Sequence, residues 1–150
     1  MKRFTASACA ALIACAALAL RAEEAKKVEL KCPVSGQAAK ADHTVDFNGG
    51  KVQFCCDKCP KAFSADTAKF ATKANAQLIA SGQAKQVKCP LSGGKLNPEA
   101  KKTVASVEVQ FCCNMCKGKV EKAQGDDQLA LVFSNEAFKK GFEIKKEEAK

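Results

Sequence analysis

Val52-Gln53-Phe54-Cys55-Cys56-Asp57-Lys58-Cys59 returns further along the chain as Val109-Gln110-Phe111-Cys112-Cys113-Asn114-Met115-Cys116. The same offset carries Cys32-Pro33-Val34-Ser35-Gly36 onto Cys89-Pro90-Leu91-Ser92-Gly93. The chain is two copies of one cysteine module. Each copy brings one thiol in a C-P-x-S-G turn and three in a C-C-x-x-C run, separated in the first copy by the stretch from Gln37 to Phe54. Closely spaced thiols in such a run converge on one point, and sulfur donors in this number select thiophilic metal ions. The candidate ligands are Cys32, Cys55, Cys56 and Cys59 in the first copy and Cys89, Cys112, Cys113 and Cys116 in the second. The expectation is two ions per chain, zinc first, with copper or another thiophilic metal as the alternative.

Size supports the same reading. A unit spanning less than half of this chain is too small to rely on a hydrophobic core alone and needs a staple. Ten cysteines in 150 residues, with no Trp or Tyr, make the cysteines that staple. The net charge of +9 suggests nucleic acid or a membrane surface, but the lysines are scattered, with no basic stripe and no interleaved aromatic platform. Without Lys2, Arg3 and Arg21 the charge is about +6, and eight thiolates around two divalent ions bring it to about +2. Nucleic acid is therefore not an expected partner.

Three of those charges flank an export signal. Lys2 and Arg3 form a basic start, and Phe4 to Leu20 is an apolar, alanine-rich run free of charge. Residues 1–22 read as a signal peptide cleaved near Ala19 or Ala22, which places the mature chain in the periplasm or outside the cell. Leu12-Ile13-Ala14-Cys15 also resembles a bacterial lipobox; on that alternative Cys15 is lipidated and the protein is a membrane-anchored lipoprotein. Either way Cys9 and Cys15 leave the ligand count. Eight cysteines in an exported chain also admit a disulfide framework, against which stand the vicinal pairs Cys55-Cys56 and Cys112-Cys113, since neighbours pair only through a strained ring.

The expected fold class is α+β: two tandem zinc-knuckle or treble-clef-like modules, each a C-P-x-S-G turn, a β-hairpin and a helix, over residues 28–82 and 85–144. Residues 37–43 read as loop, Thr44 to Phe47 and Lys51 to Phe54 as strands, and Asn48-Gly49-Gly50 as their turn. Asp57 reads as the cap of a helix with Pro60 in its first turn, and the helical pattern resumes from Asp66 to Ser81, where Gly82 ends it. Phe63, Phe70, Ala74 and Leu78 form the buried face of this helical stretch. In the second copy Thr103 to Ala105 and Val107 to Phe111 replace the hairpin, without the Asn-Gly-Gly turn. Gly125-Asp126-Asp127 breaks the helix, and two short helices follow with Val132, Phe133, Phe138 and Phe142 buried. Gly82 to Val87 is too short for a free linker, so the modules touch. Residues 145–150 read as a disordered charged tail.

The order of C-P-x-S-G, hairpin, aromatic-Cys and Cys-x-x-x-Cys on a helix resembles the YHS and TRASH domains, small treble-clef-like modules of heavy-metal binding, sensing and trafficking. Cys32, Cys55 and Cys59, and again Cys89, Cys112 and Cys116, fit the TRASH pattern of one cysteine, about twenty residues, a second, three residues and a third. The resemblance covers roughly residues 30–70 and 87–123. It implies a metal-binding module outside the cytoplasm; the expected partners are the metal ion and a metal-transport or redox partner protein. Relatives often carry a second cysteine in the turn, where this chain has Ser35 and Ser92; Cys56 and Cys113 are then the expected source of the fourth thiolate, or else stand outside the coordination sphere.

Other chemistries find little support. His43 is the lone histidine, its counterpart is Ala100, and it reads as a surface loop residue. No G-x-S-x-G, P-loop or dinucleotide fingerprint occurs, and no enzyme is expected. The rival class is a thiol-disulfide redox protein, because Cys56-x-x-Cys59 and Cys113-x-x-Cys116 sit where helices begin and thiolates are stabilised. A purely disulfide-stapled interaction module is the third reading.

Overall fold

Each C-P-x-S-G segment closes on itself. In the computed structural model, which describes residues 29–145, the Gly36 amide donates to the Cys32 carbonyl at 2.8 Å and the Cys32 amide to the Gln37 carbonyl at 2.7 Å. Gly93 and Cys89 repeat the first bond at 2.7 Å, and the Cys89 amide donates to the Gly94 carbonyl at 2.9 Å. The proposed signal peptide with Cys9 and Cys15, and residues 146–150 of the charged tail, lie outside the described residues.

From the first turn the chain enters an antiparallel hairpin of β1 (Lys40–Phe47) and β2 (Gly50–Phe54), joined through Asn48 at φ 50° and Gly49 at φ 85°. Two successive positive φ angles are what a two-residue hairpin loop requires to match strand twist, and Asn-Gly supplies them at least cost. Val52 and Phe54 alternate inward. The expected loop over 37–43 is corrected in its second half: Lys40 to His43 already belong to β1, across an irregularity in register between Lys40 and Thr44. The run is largely exposed, so no burial alternation marks it as strand.

Helix α1 (Lys58–Ala65) follows, then α2 (Thr67–Ala80), separated by Asp66 in a non-helical conformation, whose carboxylate accepts from the Lys69 amide at 3.2 Å. Asp57 makes no side-chain cap; its carboxylate meets His43 Nδ1 at 2.8 Å instead, so His43 is a strand residue with a partner rather than a loop residue. Phe63 packs edge-on against Phe47 and tilted against Phe54, each at 5.3 Å between ring centres, while Ala74 and Leu78 are fully buried and Phe70 partly so.

The connector becomes β3 (Ala84–Gln86), and the second module repeats the hairpin as β4 (Asn97–Val104) and β5 (Val107–Phe111) before helix α3 (Asn114–Lys122). Then come α4 (Gly125–Phe133), α5 (Asn135–Gly141) and β6 (Phe142–Ile144). The expected break at Gly125-Asp126-Asp127 is corrected: the corner lies at Ala123-Gln124, and Gly125, at φ +57°, is the first residue of α4. Gln128 holds that corner by donating to the Val120 and Ala123 carbonyls at 2.8 and 3.1 Å. Val132, Phe133, Phe138 and Phe142 are buried as the pattern predicts.

The modules join at three places. β3 pairs antiparallel with β6, so the end of the described chain returns to the connector. Helix α2 packs against α4 and α5. Between them lies a polar contact: fully buried Asn75 accepts from Asn48 Nδ2 at 2.7 Å and donates to the Phe133 carbonyl at 2.9 Å and to Asn135 Oδ1 at 3.0 Å. Gly141 lies so close to the second cysteine turn that a Cβ there would stand 2.9 Å from Pro90 Cα. The fold is α+β, built from five helices and three two-stranded antiparallel sheets among the described residues. No helix among them is long and apolar enough to cross a membrane.

Candidate metal centres

In each module the turn supplies one sulfur, the residue just past the hairpin a second, and the first turn of the following helix, α1 or α3, a third. Cys32, Cys55 and Cys59 bring their sulfurs within 4.8 Å of one another, as do Cys89, Cys112 and Cys116. Cys55 and Cys59 are 3.5 Å apart and Cys112 and Cys116 3.6 Å. Four sulfurs about 2.3 Å from a tetrahedral zinc stand about 3.8 Å from one another, so the spacing suits ligands of one ion. Each triad can hold a metal ion. All eight cysteines of the two modules are free thiols.

Cys56 and Cys113 fall outside the mutually close sets but border them. Cys56 Sγ lies 3.7 Å from Cys55 Sγ and 3.6 Å from Cys59 Sγ, and Cys113 Sγ lies 3.6 Å from Cys112 Sγ. Ser35 and Ser92, in the cysteine turns, place their hydroxyls 3.2 Å from Cys55 Sγ and Cys112 Sγ. The serine is thus a sulfur-contacting group in both copies.

The triads are graded in exposure. Cys32 and Cys89 are buried, whereas Cys55, Cys56, Cys112 and Cys113 are half-buried, so each cluster closes toward the core and opens outward. Burial resists charge on Cys32, but the Ser35 hydroxyl and the amides of Ser35, Cys55 and Val34 outweigh it and bring the thiol down to about 7. Cys89 reaches about 7 by the same opposition, with Ser92, Cys112 and Leu91 as donors. Cys59 and Cys116 are pushed up to about 12, first by burial and then by neighbouring sulfurs that compete for protons and repel a second charge. Cys56 and Cys113 are lowered chiefly by backbone amides at the starts of α1 and α3. Cys32 and Cys89 are thus disposed to ionise, while Cys59 and Cys116 resist losing their protons until a cation displaces them.

Two glutamines fix the geometry, and the sequence reading missed both. Gln77, from α2, accepts from the Gln53 amide at 2.6 Å and donates to the Gln53 and Lys31 carbonyls, both at 2.8 Å. Gln86, from β3, accepts from the Gln110 amide at 2.9 Å and donates to the Gln110 and Lys88 carbonyls at 2.7 and 3.2 Å. Lys31 and Lys88 immediately precede the turn cysteines, and Gln53 and Gln110 stand just before Phe54-Cys55 and Phe111-Cys112. One amide in each module therefore ties the turn to the strand that delivers the remaining sulfurs. The repeat does not relate these glutamines to each other, since the position equivalent to Gln77 in the second copy is Ser134, so the internal alignment gave no signal for them. No family model, curated protein or solved structure matches the chain.

Proposed function

We propose that the protein is an exported, non-enzymatic metal binder that carries one ion in each repeat, zinc at rest, and that captures, stores or passes on a thiophilic metal such as copper. The observation that carries this reading is the duplicated triad, each with its serine hydroxyl on the outer sulfur. A solitary cluster of three thiols can arise from packing; two built from equivalent positions of the two repeats point to a selected ligand set. The resemblance to YHS and TRASH domains supports the same class of function, and the leader supports export.

When bound, the ion supplies the cross-link that a small module lacks. The chain's own residues prepare for it: Gln77 and Gln86 hold the turns in register, the Ser35 and Ser92 regions stabilise a first thiolate, and the outward face of each cluster admits the ion. On this reading Cys56 and Cys113 turn inward to complete a four-thiolate sphere. Cobalt substitution tests it, because thiolate-to-metal absorption reports the number of sulfurs bound. Cys56→Ser with Cys113→Ser should lower that absorption per ion; an unchanged spectrum and affinity would make each site a three-thiolate one.

The second reading is a thiol-disulfide redox protein, favoured by one feature: half-buried, thiolate-prone Cys56 stands 3.6 Å from buried Cys59, whose thiol holds its proton. Insulin reduction by the metal-free, reduced chain separates the two. Turnover would favour the redox reading, and its absence alongside tight zinc retention the metal one.

A further inference from the structure

The two centres share their cysteines but not their rims. Between Cys113 and Cys116 stands Met115, 78% exposed at the start of α3, whereas the corresponding residue of the first module is exposed Lys58. The preceding position differs too: Asn114 is neutral, while Asp57 is an anion engaged by His43. Among the described residues only Met115 and Leu131 are large apolar side chains left exposed, and of the two Met115 alone stands between cysteines in the sequence. Met115 thus brings an exposed, neutral thioether between two cysteines of the second C-C-x-x-C run, where the first run has none.

Resting on the metal-binding reading, we propose that the second site is where a soft monovalent cation of the copper(I) class is acquired, with Met115 Sδ as its first donor, while the first site keeps zinc. Thioethers favour soft monovalent d¹⁰ ions and offer little to zinc, so Met115 confers preference rather than general affinity. The first site has no thioether at the equivalent position, where Lys58 stands, and so lacks this mode of capture. No electron transfer is involved: the incoming ion remains monovalent, bonds first to Met115 Sδ and then to the cluster's sulfurs, and zinc leaves as the hydrated dication while a released thiolate takes up a proton from solvent.

The test uses the full chain, reduced and zinc-loaded, with silver(I) as the redox-inert probe. The chain has two methionines, Met1 and Met115, so methyl-¹³C methionine labelling reports Met115 as the one internal signal. Substoichiometric silver should shift that methyl. It should also release zinc from Cys32→Ser, which retains the second site, at lower silver than from Cys89→Ser, which retains the first. Met115→Leu, which keeps the bulk and removes the sulfur, should abolish the lead of the second site, and Lys58→Met should bring the first level with it. An unmoved methyl during zinc release, or an undiminished lead in Met115→Leu, would overturn the proposal. A chain that takes up no zinc at the outset would overturn the metal reading beneath it, a failure visible before silver is added.

Discussion

Replacing Gln77 by methionine removes a clamp while preserving length and bulk. The side chain is 4% exposed and makes three hydrogen bonds to backbone groups, at 2.6, 2.8 and 2.8 Å. A buried backbone group left without a partner costs about 1–3 kcal/mol, and water at the edge of a two-stranded sheet recovers part of it, so the total comes to about 3 kcal/mol. With a urea slope of about 2 kcal/mol per molar, the unfolding midpoint of the metal-loaded protein should fall by about 1.5 M. Because the bridged groups adjoin Cys32 and Cys55, part of the loss should appear as weaker metal binding in the first repeat, about tenfold for each 1.4 kcal/mol. The second repeat, held by Gln86, should keep its affinity. Urea titration followed by circular dichroism gives the stability, and competition with a chromophoric chelator in Cys89→Ser and Cys32→Ser backgrounds gives each affinity. A midpoint within about 0.3 M of wild type, with the first-site affinity unchanged, would refute the assignment of Gln77 as the strut of that site.

Two further outcomes are expected. Ala105 and Ser106 hold φ of 49° and 68°, so Ala105→Asn with Ser106→Gly should relieve a strained loop and stabilise the protein by about 1 kcal/mol, read as a rise in Tm of about 4 °C. In the metal-free, reduced chain Cys32 and Cys89 titrate in the folded state at about 7 against an ordinary 9.0, so their contribution is complete above pH 9 and is lost as pH falls through 7. Cys59 and Cys116, raised to about 12, contribute fully below pH 9 and lose that contribution as pH rises through 12. Stability of this form should therefore peak near pH 9 in chemical denaturation across pH, and a profile that rises steadily from 9 to 12 would contradict the assignment.

The repeat, the cysteine turns and the first hairpin could be read directly, because each rests on local chemistry: Pro33 and Gly36 shape the turn, and Asn48-Gly49 is the preferred two-residue loop. Phe63, Leu78, Val132 and Phe133 were legible as core from their periodicity. The second hairpin was legible only through the first. Its loop, Ala105-Ser106, has no residue suited to positive φ, yet the register Val104 with Val107 buries both valines and outweighs the local cost. Pairing of β3 with β6 joins three-residue strands far apart in sequence, beneath the length at which alternation is informative. Gln77, Gln86 and Asn75 look in the sequence like ordinary polar helix or loop residues; their roles follow from backbone groups that only the folded chain brings to them. Six of the eight proposed ligands gather into triads, whereas the placing of Cys56 and Cys113 turns on the path of the strand into the helix, which spacing leaves undetermined.

The claim on which the account depends is that each repeat holds its own ion. Native mass spectrometry of the reduced full chain, purified with its metal, counts those ions directly. The expected result is two per chain in the wild type, one in Cys32→Ser, one in Cys89→Ser, and none in the double variant. A wild-type chain without bound metal, or a single substitution that removes both ions, would contradict it.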